Sequence, residues 1–195
     1  MKYPEYVKVN DRMYKINTDF RVAIKCNEVA TDETIGDLER ALAVVYLLFE
    51  GGLDNPDDFG ELLRLARKYL FCGKEPTDNV EEPDMDYVED MDYIEASFMS
   101  DYRIDLSNET MHWWKFNNLM NGLSNSEMGN CCVLNRIRNL RNYDTREIKD
   151  SKQRQKIEKA KKQVALKRYK KENHLTQEQE RSMRELNQIL GLRGD

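Results

Sequence analysis

The sequence lacks the features of secreted, membrane-spanning and zinc-binding proteins. Its longest apolar run, residues 41–49, is far shorter than the roughly 20 residues that cross a bilayer. The first residues form no apolar signal segment, so we expect a soluble protein that stays in the compartment where it is made. The four cysteines and two histidines show neither C-x-x-C nor H-x-x-x-H spacing, so we expect neither a disulfide framework nor a zinc site.

Catalytic signatures are absent from the sequence as well. It contains no glycine-rich phosphate-binding motif, no G-x-S-x-G turn and no H-E-x-x-H metal motif. The acidic cluster at residues 84–92 lacks the glycine and the terminal glutamate spacing of an EF-hand loop. His112 has no acid, serine or cysteine at a meaningful spacing to act as its chemical partner. The sequence therefore predicts a non-enzymatic protein that needs no metal and no cofactor.

Charge is distributed unevenly along the chain, although the formal net charge is only -5. Residues 75–95 contain ten acidic side chains and no basic one, whereas residues 136–184 contain 17 basic side chains and seven acidic ones. Charge runs on exposed helices are usually solvated, and that interpretation is favoured here. The alternative is that the two segments attract each other, or attract a partner of opposite charge.

Apolar spacing predicts a mainly α fold, namely a multi-helix globular domain with a short N-terminal β-hairpin and a basic C-terminal helical extension. Residues 6–17 alternate apolar and polar around an Asn-Asp turn, which indicates the hairpin. Six helices are predicted between residues 18 and 143, and two more follow in the basic region. We expect the second helix, with an apolar stripe over residues 35–49, to be the most buried, and the fifth to begin after a Ser107 cap.

Composition divides the chain into four segments. Residues 74–85 are acidic, contain two prolines and show no periodic apolar set, so we interpret them as a linker. After residue 143 the apolar stripe becomes thin, which is typical of a helix that is exposed or that orders with a partner. The predicted segments are a hairpin plus three-helix lobe at 1–73, an acidic linker at 74–85, a second helical lobe at 86–143 and a basic helical extension at 144–195.

An aromatic run at residues 112–116 provides the first candidate binding site. Because a helix turns about 100° per residue, Trp114 points to a different face from Trp113 and Phe116, and one indole could serve a second surface. Both tryptophans could instead belong to the core, and that interpretation is slightly favoured. If they do not, they border an apolar groove for an amphipathic helix of a partner. The candidate partner-binding residues are Trp113, Trp114, Phe116, His112 and Tyr93.

The basic region provides a second candidate contact, with an anionic partner. Nucleic-acid binding by residues 152–171 is possible through phosphate neutralisation. It is disfavoured because aromatic residues other than Tyr169 are missing from this region and because the whole chain is acidic. The candidate residues for an anionic partner are Lys152, Arg154, Lys159, Lys161 and Lys162.

Several short motifs stand in a characteristic order along the chain. They are Asn17-Thr18-Asp19-Phe20-Arg21, Asp92-Tyr93-Ile94-Glu95-Ala96-Ser97-Phe98, Ile104-Asp105-Leu106-Ser107, His112-Trp113-Trp114-Lys115-Phe116 with Gly122-Leu123, and Glu147-Ile148-Lys149-Asp150. Over roughly residues 6–166 this order resembles the bacteriophage gene-product-fifteen family, small proteins of tailed phages and prophages of Gram-positive bacteria. Arg103 and Asn117 stand where family members often have Gly and Arg.

The resemblance implies a gene between those of the major tail protein and the tape-measure protein, where other phages encode tail assembly chaperones. It thus implies a non-enzymatic tail assembly factor that binds helical segments of the tape-measure protein in the host cytoplasm. Homo-oligomers are expected, because coating a long helix needs many copies. The alternatives are a structural component of the tail or virion and a nucleic-acid-binding protein, and no membrane contact is expected.

Overall fold

A computed structural model describes residues 3–74, 83–125 and 131–167, and the fold is mainly α-helical, as the apolar spacing predicts. The chain divides into two compact units, residues 1–165 and 166–195, and only two residues of the second unit are among those described. Most of the predicted acidic linker and the predicted last helix lie outside the described residues. The four predicted segments remain a prediction.

The N-terminal hairpin forms at the predicted position. Strand β1 (Tyr6–Val9) pairs antiparallel with β2 (Arg12–Lys15), and Asn10 takes the left-handed conformation in the turn between them. The chain after β2 then pairs with the segment that follows the second helix, where the Asn17 N–H donates to the Leu48 carbonyl at 2.7 Å. Backbone hydrogen bonds therefore hold the hairpin against the end of the second helix.

Three helices follow the hairpin: α1 (Phe20–Ala30), α2 (Asp37–Leu48) and, after a 3-10 turn at Pro56–Asp58, α3 (Phe59–Leu70). Asp19 caps α1 and Asn55 caps the 3-10 turn, each by accepting a backbone N–H. Helix α2 packs against both α1 and α3. The expectation that α2 is the most buried helix is wrong, because its neighbours cover only one side of a stripe that extends around most of the helix.

Four more helices are described in the first unit: α4 (Met91–Tyr102), α5 (Trp113–Asn121), α6 (Val133–Asn142) and α7 (Ser151–Val164). Helix α5 begins five residues later than the Ser107 cap predicts. The Asp105 carboxylate accepts hydrogen bonds from the Ser107 N–H and hydroxyl, which holds this stretch in a turn. Helix α4 packs on α6, α5 on α1, and α6 on α7.

The acidic segment, residues 75–95, and the basic segment, residues 136–184, form ion pairs with each other near the start of α4. Arg141 on α6 forms a double hydrogen bond with Asp90, at 2.6 and 2.7 Å, and Arg138 binds Asp84 at 3.1 Å. The Asp90 and Arg141 side chains are both largely buried, and the hydrogen bonding with Asp90 raises the pKa of Arg141. Of the two interpretations of the charge pattern, mutual attraction is confirmed for these pairs.

The core of the first unit contains a stack of aromatic rings. Phe116 lies between Phe20, at 4.6 Å between ring centroids, and Phe98, at 5.2 Å, while Trp113 stacks at 5.8 Å from Phe116. These rings come from α1, α4 and α5, so the stack joins helices that are far apart in sequence. It fixes where α5 begins relative to α1, and α5 carries the candidate site.

Candidate partner-binding site

The start of α5 is held against the start of α1 by backbone hydrogen bonds. The Phe20 N–H donates to the Met111 carbonyl at 2.9 Å, and the Trp113 N–H donates to the Thr18 carbonyl at 2.8 Å. His112 is the N-cap of α5, since its Nδ1 accepts the Trp114 N–H at 3.0 Å. Its Nε2 lies 3.0 Å from the Pro4 carbonyl oxygen and donates to it, so the ring is the neutral Nε2–H tautomer.

Both tryptophans bind the C-terminal end of α3. The Trp113 indole donates to the Leu70 carbonyl and the Trp114 indole to the Tyr69 carbonyl, each at 2.9 Å. The last four carbonyls of a helix lack partners within the helix, and Trp113 supplies the donor for the Leu70 carbonyl. The Tyr69 carbonyl also accepts the Cys72 N–H at 2.9 Å, so Trp114 is its second donor. Gly73 follows at a φ of +79°, and a β-carbon there would lie 3.2 Å from the Trp114 ring. Glycine suits the positive φ of this turn, and the lack of a side chain leaves room for the Trp114 indole.

The predicted partner-binding residues differ in exposure. Trp113 is 1% exposed and Phe116 is 0% exposed, so both belong to the core in this structure. Trp114 and His112 are partly buried and reach the surface together. Tyr93 is also partly buried, but it lies on α4 near Arg141, whose pKa it influences. The structure thus brings Trp114 and His112 together and places Tyr93 elsewhere.

Two tyrosines join Trp114 and His112 to form an aromatic cluster, defined here as Tyr3, Tyr69, His112 and Trp114. The Tyr3 ring stacks on His112 at 4.8 Å and meets Trp114 edge-on at 6.4 Å. Tyr69 lies 5.9 Å from both rings, and burial raises its pKa. The sequence analysis missed both tyrosines, because neither lies near residues 112–116 in sequence and neither stands in a recognisable motif.

This aromatic cluster is suited to apolar contacts rather than to catalysis. Both nitrogens of His112 are occupied, one by a backbone N–H and the other by a carbonyl oxygen. Across residues 3–74, 83–125 and 131–167, no group of His, Cys, Asp and Glu side chains could hold a metal ion. In the same residues, no helix is long and apolar enough to cross a lipid bilayer.

The five residues predicted to contact an anionic partner all lie on α7. Two of them donate hydrogen bonds to backbone carbonyls, and the other three are exposed. Arg154 donates to the Ile148 carbonyl at 2.7 Å, and Lys161 donates to the Tyr143 carbonyl at 2.5 Å. Lys152, Lys159 and Lys162 are exposed on the helix. Lys152 and Lys159 are seven residues apart and therefore lie on one side of α7, which leaves a basic surface facing outward.

Comparison with known proteins gives one match. The family described as Bacteriophage Gp15 protein matches residues 2–166, and this range contains every residue of both candidate sites. No curated protein and no solved structure matches the chain.

Proposed function

The chain belongs to the Bacteriophage Gp15 protein family, and from this premise we propose that it is a tail assembly chaperone that binds helical segments of the tape-measure protein. Membership of this family indicates a structural or assembly protein of a bacteriophage. The more specific proposal adds a partner and a binding surface. It also places the action in the host cytoplasm, before the tail tube closes around the tape measure.

The observation that supports this proposal is the partly exposed aromatic cluster. Hydrogen bonds to α3 and to their own helix hold the Trp114 and His112 side chains in place. The aromatic cluster therefore loses little conformational entropy when a partner binds. Aromatic rings in this setting are typical anchors for an amphipathic helix. Tyr3 covers part of the cluster through ring contacts and one long hydrogen bond, from Asn118 to its hydroxyl at 3.4 Å, so a partner's apolar side chain can replace it.

Co-expression with the tape-measure protein of the same phage tests the proposal. We expect the two proteins to elute together in size-exclusion chromatography, and the tape measure to be soluble only in that mixture. Light scattering on the same sample gives the stoichiometry and tests the expected homo-oligomer. Failure of the two proteins to elute together contradicts the chaperone proposal.

Trp114→Ala tests the binding surface within that experiment. We expect it to reduce co-elution strongly, because it removes the largest ring of the aromatic cluster. Tyr143→Ala is the matched control, since Tyr143 is an exposed aromatic residue outside the cluster. Circular dichroism checks that both variants fold. Unchanged binding by a folded Trp114→Ala variant contradicts this assignment of the surface.

A structural role in the tail or virion is the first alternative. Mass spectrometry of purified phage particles separates the two functions, because a chaperone is absent from finished particles and a structural component is present in fixed copy number. Detection of this chain in a stoichiometric amount favours the structural role.

Nucleic-acid binding is the second alternative, and the basic outer surface of α7 is the observation that favours it. Lys152 and Lys159 face outward on the same side of the helix. Binding through phosphate contacts predicts an affinity that falls steeply between about 50 and 200 mM salt. Titration of a labelled oligonucleotide at both salt concentrations tests it, and a flat response contradicts it.

A further inference from the structure

Helix α2 presents a row of large apolar side chains at the surface, of which the two outer ones are exposed and the middle one, Leu42, is partly buried. Leu38, Leu42 and Tyr46 recur every four residues and form one row about 12 Å long, which we name the outer ridge of α2. Leu38 is 64% exposed and Tyr46 is 58% exposed. The opposite side of the helix, with Val44, Val45 and Leu48, packs into the core. Contiguous apolar residues of this size on one helix face mark an interaction surface.

The C-terminal end of the outer ridge is preformed. The turn after α2 places Gly52 beneath the Tyr46 ring, where a β-carbon would lie only 2.6 Å from the ring. Gly52 also has a φ of +75°, a backbone conformation that favours glycine. The tyrosine ring is therefore supported from below and presents its other side outward.

The surroundings of the outer ridge are acidic. Residues 32–58 contain eight acidic side chains and one basic one, Arg40. Arg40 is engaged with the Asp37 carboxylate and with the Asp32 carbonyl. At the Tyr46 end, cations of the hairpin offset two of the four acidic side chains, because Lys15 pairs with Glu50 and Arg12 with Asp58. At the Leu38 end, Arg40 is the one basic residue beside four acidic ones in sequence, so the excess of negative charge is larger there, around Glu33, Asp37 and Glu39.

We propose that the outer ridge of α2 is a docking surface for a cationic amphipathic helix. The apolar stripe of that helix covers Leu38, Leu42 and Tyr46, and its Lys or Arg residues lie beside the acidic Leu38 end. If the proposed function holds, this surface is a second attachment point for a helix of the tape-measure protein. Two attachment points on one chain would raise the avidity for a long helical partner.

Within the part of the basic region that the structure describes, helix α7 of a second copy fits the surface less well. It turns Ile157, Ala160 and Val164 inward, where they are partly buried. The outward side of α7 carries lysines without an apolar stripe, so it cannot cover the three apolar side chains of the ridge.

The docking surface can be tested without the tape-measure protein. The probe is a fluorescently labelled 18-residue model helix with a leucine stripe flanked by lysines, titrated into the full chain and followed by anisotropy. The double variant Leu38→Ser with Tyr46→Ser should bind at least about tenfold more weakly. Glu39→Gln should bind less tightly while it keeps the side-chain acceptor for the Gly36 N–H. Met99→Ser, which removes an exposed methionine on α4, is the matched control and should bind like the unmodified chain.

Three results would overturn the docking surface. They are failure of the unmodified chain to bind the probe, equal affinity of the double variant, and equal affinity for a probe whose lysines are replaced by glutamates. If light scattering instead shows a dimer that the double variant abolishes, a second copy occupies the ridge and the proposed partner is wrong.

Co-expression of the double variant with the tape-measure protein separates this inference from the proposed function. Reduced co-elution supports both. If a double variant that no longer binds the probe co-elutes normally, the outer ridge does not bind the tape-measure protein, and the chaperone proposal stands. If the unmodified chain binds the probe but never co-elutes with the tape measure, the docking surface stands and the chaperone proposal fails.

Discussion

At the scale of single residues, the two adjacent tryptophans play different parts although they make equivalent hydrogen bonds. Each indole donates to a carbonyl at the end of α3, at Leu70 for Trp113 and at Tyr69 for Trp114. Trp113 is also part of the buried aromatic stack, whereas Trp114 is partly exposed beside His112. Trp113 thus belongs to the core, and Trp114 is the indole that reaches the surface.

Trp113→Phe and Trp114→Phe should therefore differ in their effect on stability. We expect Trp113→Phe to lower the free energy of unfolding by about 2–3 kcal/mol, because it leaves the Leu70 carbonyl without its donor and opens a gap in the core. Trp114→Phe should cost about 1 kcal/mol, because the Tyr69 carbonyl keeps its hydrogen bond from the Cys72 N–H. Urea unfolding followed by circular dichroism measures both values, and equal losses would contradict the assignment.

Asp58 is a buried carboxylate that joins the hairpin to the start of α3. The Tyr14 hydroxyl donates to it at 2.7 Å and Asn10 donates at 2.6 Å. The hydrogen bond from Tyr14, followed by those from Asn10 and Arg12, holds the pKa of Asp58 below its ordinary value despite burial, which acts in the opposite direction. The hairpin is therefore attached through a group that must stay ionised.

Asp58→Asn should change how stability depends on pH. Because the pKa of Asp58 is lower in the folded chain, its contribution is complete above the unfolded value of about 3.9 and is lost as the pH falls through the folded value. The variant lacks this contribution at neutral pH, so its stability should fall less steeply on acidification. Thermal melts from pH 7 to pH 2 measure the two slopes, and parallel curves would contradict the prediction.

At the scale of helices, one arginine fixes the positions of three segments. Arg141 on α6 binds Asp90 beside the start of α4, and it also donates to the Asp84 carbonyl at 2.8 Å and to the Val164 carbonyl, at the end of α7, at 2.7 Å. A planar guanidinium can serve all of these acceptors at once, which lysine cannot. The acidic stretch, α6 and α7 thus depend on a single side chain.

Arg141→Met should be strongly destabilising. We expect a loss of about 3–5 kcal/mol, because the substitution leaves Asp90 buried without its counter-charge. The double variant Arg141→Met with Asp90→Leu should recover part of that loss, since it removes the uncompensated charge as well. Chemical unfolding of both variants tests the pair, and a double variant that is no more stable than the single one contradicts this account.

At the scale of the whole molecule, the compact first unit and the family match end at nearly the same position. The first unit covers residues 1–165, and the family matches residues 2–166. The buried aromatic stack, both candidate sites and the outer ridge of α2 all lie within this range. We therefore attribute the fold and the proposed binding functions to this part of the chain.

A chain truncated after Lys167 should fold as a cooperative unit. We expect its free energy of unfolding to lie within about 0.5 kcal/mol of the full chain, because the truncation removes no residue of the first unit. It should also keep its affinity for the lysine-rich probe. Urea unfolding and probe titration of the two chains side by side make the comparison, and loss of cooperativity would show that residues beyond 167 take part in the fold.

The sequence by itself determined the mainly α class, the hairpin and the approximate positions of α1, α2, α3, α4 and α7, whereas α5 and α6 begin later than predicted. These features depend on local signals, such as apolar spacing, the Asn10 turn and the Asp19 and Asn55 caps, which act within a few residues. Even local signals can compete, and at the start of α5 the Asp105 turn prevails over the apparent Ser107 cap.

Only the tertiary structure decided which aromatic residues are core and which are surface. Trp113 and Trp114 are alike in sequence, but α3 and the aromatic stack bury the first, and Tyr3 only partly covers the second. In the same way, α2 has a broad apolar stripe, and the positions of α1 and α3, which pack on it, determine which side of the stripe remains exposed. Burial depends on segments that are distant in sequence, so the local pattern of a helix cannot specify it.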